Sequence, residues 1–108
     1  MTLLEDRHCA RMSERLRLYD VTRTRLRAVL HALAAGHEFR LFGSLLHPGR
    51  FNAASDVDLA FTTLPAGKTE YELGAELEEH LGRPIDLVDF NHTRLRGKIE
   101  REGERWIA

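Results

Sequence analysis

Residues 56–62 read Asp-Val-Asp-Leu-Ala-Phe-Thr, with a large apolar residue at every second position. Successive side chains of an extended chain point to opposite faces, so Val57, Leu59 and Phe61 share one face while Asp56, Asp58 and Ala60 share the other. The pattern predicts a strand that turns its apolar face to a core. Its two carboxylates stand side by side on the opposite face, with Cβ atoms roughly 6–7 Å apart. With no basic neighbour in the strand they repel each other, and a neutralising cation is the common reason for such a pair to persist. Hard oxygen donors of this kind suit magnesium, which keeps waters and binds through one or two carboxylates plus substrate phosphates. Taken alone, Asp-x-Asp also fits a strand whose outer face simply meets water.

Upstream, residues 38–42 alternate with Phe39 and Leu41 on one side and run into Gly43-Ser44. At a strand-to-helix turn, free backbone amides and the serine hydroxyl can cradle a phosphate at the positive end of a helix dipole. Glycine suits that place because a Cβ would obstruct the approach. An ordinary turn with a serine N-cap uses the same two residues. Residues 45–55 (LLHPGRFNAAS) read as a helical turn plus loop, in which Arg50 offers positive charge to phosphates or to solvent. Downstream, Thr69 and Glu72 form a capping box that opens a helix with Tyr71, Leu73 or Gly74, Leu77 and Leu81 as its buried stripe, stopped by Gly82 and Pro84. Residues 84–90 (PIDLVDF) give a third strand. Asp86 lies on the face of Val88 and Phe90, so pairing beside residues 56–62 would bring a third carboxylate to the first two. Asp89 falls on the other face and reads as structural.

The two ends are less chemical. Thr2 and Glu5 make a capping box, and Met12, Leu16, Tyr19, Leu26, Val29, Leu30 and Leu33 keep a helical stripe until Gly36. Residues 3–35 are therefore one long helix, or two broken near residues 20–24. The charged tail, residues 93–107, reads as a last helix anchored by Leu95, Ile99, Trp106 and Ile107. The order helix, strand, loop, strand, helix, strand, helix implies an α/β or α+β arrangement of helices on a small sheet. One domain is expected, with a helical segment over 1–36, a core over 37–90 and a tail over 91–108.

Composition sets the outer bounds. With 108 residues, 43% hydrophobic and 31% charged, the chain has enough apolar surface for one core and is not of the disordered class. No apolar run approaches the ~20 residues of a membrane span, and the acidic start is unlike a signal peptide, so a cytoplasmic protein is expected. The single cysteine, Cys9, excludes an internal disulfide and reads as a small buried apolar group. The six histidines show no ligand spacing. Residues 1–40 carry eight arginines against five acids, +3, which leaves −4 for the rest of a chain whose net charge is −1. That split is too mild for a nucleic-acid-binding tail, and the arginines sit in a helical pattern, as a solvated face or a dock for an acidic partner.

Together, residues 43–61 (GSLLHPGRFNAASDVDLAF), the later PIDLVDF and the terminal REGERWI resemble the nucleotidyltransferase superfamily that includes DNA polymerase beta, and in particular its minimal members. The resemblance implies a palm fold with a small mixed sheet. It implies that Gly43 and Ser44 hold the triphosphate of a nucleotide, with Arg50 nearby. Asp56 and Asp58 would bind two magnesium ions, and Asp86 would join them as third carboxylate and general base. One departure is visible: eleven residues separate Ser44 from Asp56, one more than the family pattern carries, and His47-Pro48 replaces the small and basic residues usual there. Minimal nucleotidyltransferases are encoded beside HEPN-domain ribonuclease toxins, as antitoxins that attach AMP to the toxin. The expectation is therefore magnesium-dependent transfer of AMP from ATP to a hydroxyl, that of a tyrosine, on a HEPN-type partner in complex with it. The alternative is a non-catalytic antitoxin that neutralises its partner by binding and retains a relic acidic site.

Overall fold

A computed structural model describes residues 3–108. In chain order it contains α1 (Leu3–Ala34), β1 (Glu38–Phe42), a 3-10 turn (Gly43–Leu46), β2 (Val57–Phe61), α2 (Glu70–Leu81), β3 (Ile85–Asp89), α3 (Arg96–Glu102) and β4 (Glu104–Ile107). The strands form one sheet in the order β3-β2-β1-β4. β1 is antiparallel to both β2 and β4, whereas β2 and β3 are parallel and joined through α2, as a parallel pair requires. The fold is α+β, a small mixed sheet with helices packed on it. The Thr2 half of the first capping box lies outside the described residues.

The alternation read from residues 56–62 decides how the layers stack. Val57, Leu59 and Phe61, with Phe39 and Leu41 of β1, are buried against Leu26, Leu30 and Ala34 of α1 and Leu73, Leu77 and Leu81 of α2. Each fully buried Leu or Phe contributes roughly 1.5–3 kcal/mol, so this layer holds most of the stability. The opposite face carries a smaller cluster of Ala60, Phe90 and Ile99, the last from α3. α2 opens with the Thr69 hydroxyl accepting from the Glu72 amide and closes at Gly82 in the left-handed region. That is one arm of the anticipated capping box.

Of the two readings of residues 3–35 the single helix is the one found, and several other expectations are corrected. α1 is one unbroken helix of 32 residues, about 48 Å long at the helical rise, so its first turns run past the sheet. For that reason Leu16 is 43% exposed and Cys9 is exposed rather than buried, while Thr22, absent from the predicted stripe, is buried. Tyr71 is 84% exposed, because α2 turns Leu73, Leu77 and Leu81 inward and leaves Tyr71 on its outer side. The tail is not a helix throughout: Glu104–Ile107 is an edge strand beside β1, with Phe39 opposite Trp106 and Glu38 opposite Ile107. Trp106 is buried, and Arg23 and Arg27 of α1 stack on its ring at 5.3 and 4.2 Å. Gly36, with φ of +84°, donates its amide to the Ala108 carbonyl, closing the turn between α1 and β1 against the chain's last residue.

Candidate active site

β1 delivers the chain to Gly43, whose φ of +76° lies where side chains are disfavoured, and the backbone turns there into the 3-10 segment that carries Ser44. Across the antiparallel pair, Asp58 stands opposite Phe42; across the parallel pair, Asp86 stands opposite Asp58. Register partners share a face, so both carboxylates project from the side of the sheet away from α1 and α2. A Cβ built on Gly43 would overlap the Asp58 Oδ2 atom. The turn and the carboxylate are thus packed together, and glycine is required both for its backbone angle and for the space.

Gly43, Ser44, Asp58 and Asp86 line one cleft of about 390 Å³, together with Arg50 from the following loop and Lys98 from α3. Burial, and then the negative charges of Asp86 and Asp56, push the Asp58 carboxyl up to about 6. The charges of Asp56 and Asp86 thus bear on the Asp58 carboxyl, though less than its burial does. The placement of the three aspartates nevertheless differs. Asp58 is half-buried, whereas Asp56, just before β2, and Asp86 are exposed. Asp56 does not line the cleft. Among the described residues, no three His, Cys, Asp or Glu side chains gather closely enough to hold a metal ion between them, so the expected three-carboxylate metal cage is not formed by protein atoms alone. Asp58 and Asp86 still offer hard oxygen donors beside a phosphate-sized turn, a donor set that fits magnesium completed by phosphate and water oxygens.

Lys98 and Glu102 were not legible as site residues. Their signal was the spacing Leu95, Lys98, Ile99, Glu102, which puts four tail residues on one side of a helix. Ile99 anchors that side in the second cluster, and the other three reach the cleft. A second, wider cleft of about 640 Å³ between α1 and α3 shares Arg50, Lys98 and His47 with the first. Arg23 on its wall is occupied, donating to the Leu45 carbonyl and to Glu104. Among the described residues, the Arg50 and Lys98 side chains make no ion pair, so both cations are free to meet an anion. Asp89, the residue assigned a structural part, accepts from the Asn91 amide and pairs with His92, whose hydrogen bond lowers its pKa.

A glycine-serine turn pressed against an aspartate, with a second aspartate in register on the neighbouring parallel strand, defines a nucleotidyltransferase palm. The family described as "Polymerase beta, Nucleotidyltransferase" matches residues 37–107, and the chain belongs to it. Its domain is a nucleotidyltransferase. The matched span includes α3 and β4, so the tail is part of the family's fold and not an appendage. No curated protein and no solved structure gives a significant match to the chain. No helix among the described residues is long and apolar enough to cross a membrane.

Proposed function

We propose that this domain transfers AMP from ATP to a hydroxyl group of a partner protein, as the antitoxin of a HEPN-type toxin, with a tyrosine as the acceptor. The observation that carries the transferase reading is the convergence of Gly43-Ser44, Asp58 and Asp86 on one cleft beside Arg50 and Lys98, which make no ion pair among the described residues. The finer reading is supported by the resemblance of the GS…DVD…PIDLVD pattern to minimal nucleotidyltransferases.

The chain's own groups suit an in-line displacement at the α-phosphorus. The backbone at Gly43 and the Ser44 hydroxyl hold phosphate oxygens, and Arg50 and Lys98 neutralise the charge of the departing pyrophosphate. Asp86 accepts the proton of the attacking hydroxyl. Asp58 and Asp86, with Asp56 adding its charge, would hold divalent magnesium. Magnesium when bound offsets the negative charge that develops on the attacking and leaving oxygens.

Incubation with α-labelled ATP, magnesium and a HEPN-type protein, if one is encoded beside this chain, tests this. Label on the partner, lost at least 100-fold in Asp58→Ala, is expected; unlabelled partner, or equal labelling by the variant, overturns the reading. Thermal stabilisation by magnesium and ATP together, absent for Asp58→Ala and for Asp86→Ala, separates a working site from a protein that neutralises its partner by binding alone.

A further inference from the structure

Asp86 lines two clefts. One is the candidate active site; the other, of about 600 Å³, opens on the far side of β3 beneath α2 and includes Glu70, Tyr71, Gly74, Glu78 and Leu87. Resting on the proposed transfer to a protein hydroxyl, we infer that this outer cleft receives the acceptor as an extended, basic polypeptide segment that adds to the open edge of β3.

Three observations lead there. β3 ends the sheet, so one side of its backbone has no strand partner. The ladder phase is set by Val57 N–H donating to the Pro84 carbonyl and Phe90 N–H to the Phe61 carbonyl. In a parallel ladder of that phase, residues 86, 88 and 90 donate inward and residues 85, 87 and 89 turn their N–H groups outward. The Ile85 amide confirms it by donating to the Glu78 carboxylate instead of to a strand. The Leu87 N–H and C=O remain as a template for another chain.

Stereochemistry selects this edge over the rest of the surface. Across the sheet the order is Gly43-Ser44 at the end of β1, Asp58 on β2, Asp86 on β3, then the outer cleft. The acceptor oxygen attacks the α-phosphorus, forming an O–P bond as the bond from phosphorus to the bridging oxygen breaks. Pyrophosphate leaves with that electron pair and the hydroxyl proton passes to Asp86. Attacking and leaving oxygens lie on opposite sides of the phosphorus. With pyrophosphate on the side of Ser44, Arg50 and Lys98, the hydroxyl enters from the β3 side.

Charge identifies the occupant. Glu70, Glu78 and Asp86 line the outer cleft and no cation does, which repels a nucleic-acid acceptor and favours a basic peptide. Gly74 leaves its floor open: a Cβ there would meet nothing nearer than Leu87 Cδ2 at 3.9 Å. Tyr71, exposed on the rim, offers an aromatic surface to a side chain of the segment.

The test uses the full chain, isotope-labelled, with an eight-residue peptide of one central tyrosine flanked by lysines, against the same peptide with glutamates and a uridine octanucleotide as controls. The amides of Ile85, Leu87 and Asp89 should shift with the lysine peptide alone. Gly74→Gln, which fills the cleft, should weaken that binding at least tenfold and raise the peptide KM for AMP transfer to match, without moving the ATP KM. Binding elsewhere, no binding, equal binding by Gly74→Gln, or label passing to the oligonucleotide overturns the inference. Shifts at Gly43 and Ser44 on adding magnesium and ATP report the transferase reading separately, and stand or fall without the peptide.

Discussion

The backbone of Gly43 and the carboxylate of Asp58 share a space that has no room for one added methyl group. This contact joins the end of β1 to the start of β2 on the site face, and it ties the glycine-serine turn to the acidic pair. Gly43 is therefore constrained twice, by its positive φ and by its neighbour.

Gly43→Ala should be among the more damaging small substitutions. The left-handed backbone and the overlap together are expected to cost about 1–3 kcal/mol. Urea unfolding checks the stability, and labelled-ATP transfer should fall further than stability explains, because the Asp58 carboxylate is displaced.

Asp58 carries a pH signature. Its carboxyl is raised from 3.8 to about 6 in the folded chain, so the native state holds the proton more tightly than the unfolded one. The stability this contributes is full below about 3.8 and is lost as pH rises through about 6. Asp58→Asn should accordingly stabilise the metal-free protein at pH 7.5, by about 1 kcal/mol once solvent screening is allowed for. The gain should vanish below pH 4. Thermal melts of both proteins across that range provide the measurement.

Lys98 and Arg50 are predicted to act on nucleotide and not on folding. Neither side chain makes an ion pair among the described residues, and both are exposed. Lys98→Ala and Arg50→Ala should each raise the KM for ATP about tenfold, near 1.4 kcal/mol per charge-assisted contact, while melting temperatures stay within a degree or two. The defect should shrink at high salt, where screening weakens the wild-type contact.

Trp106 should matter to stability and not directly to chemistry. It is 4% exposed and lies beneath Arg23 and Arg27, yet its indole Nε1 has no hydrogen-bond partner among the described residues. Trp106→Ala is expected to cost about 3–5 kcal/mol through the cavity it leaves. Trp106→Phe, which gives up no hydrogen bond, should cost well under half of that. Denaturant midpoints of the two variants test the contrast.

Local pattern determined a good deal. The alternation of residues 56–62 placed β2 and its sidedness, and Thr69 and Gly82 bounded α2. Those readings depend on neighbours in sequence, whereas Asp56, Asp58, Asp86 and Gly43-Ser44 were read as a set through the resemblance, and Asp86 joins Asp58 only because β3 pairs beside β2. What only the tertiary structure decided was which surfaces those elements meet. Tyr71 and Leu16 carry apolar side chains at helical spacing, but Leu16 lies where α1 overhangs the sheet and Tyr71 on the outer side of α2. Glu104–Ile107 is too short and too charged to announce a strand; it becomes one because β1 presents an unpaired edge to it. Lys98 and Glu102 reach the cleft because Ile99 anchors α3 on the face of the sheet that the aspartates share, a long-range packing choice that no local period encodes.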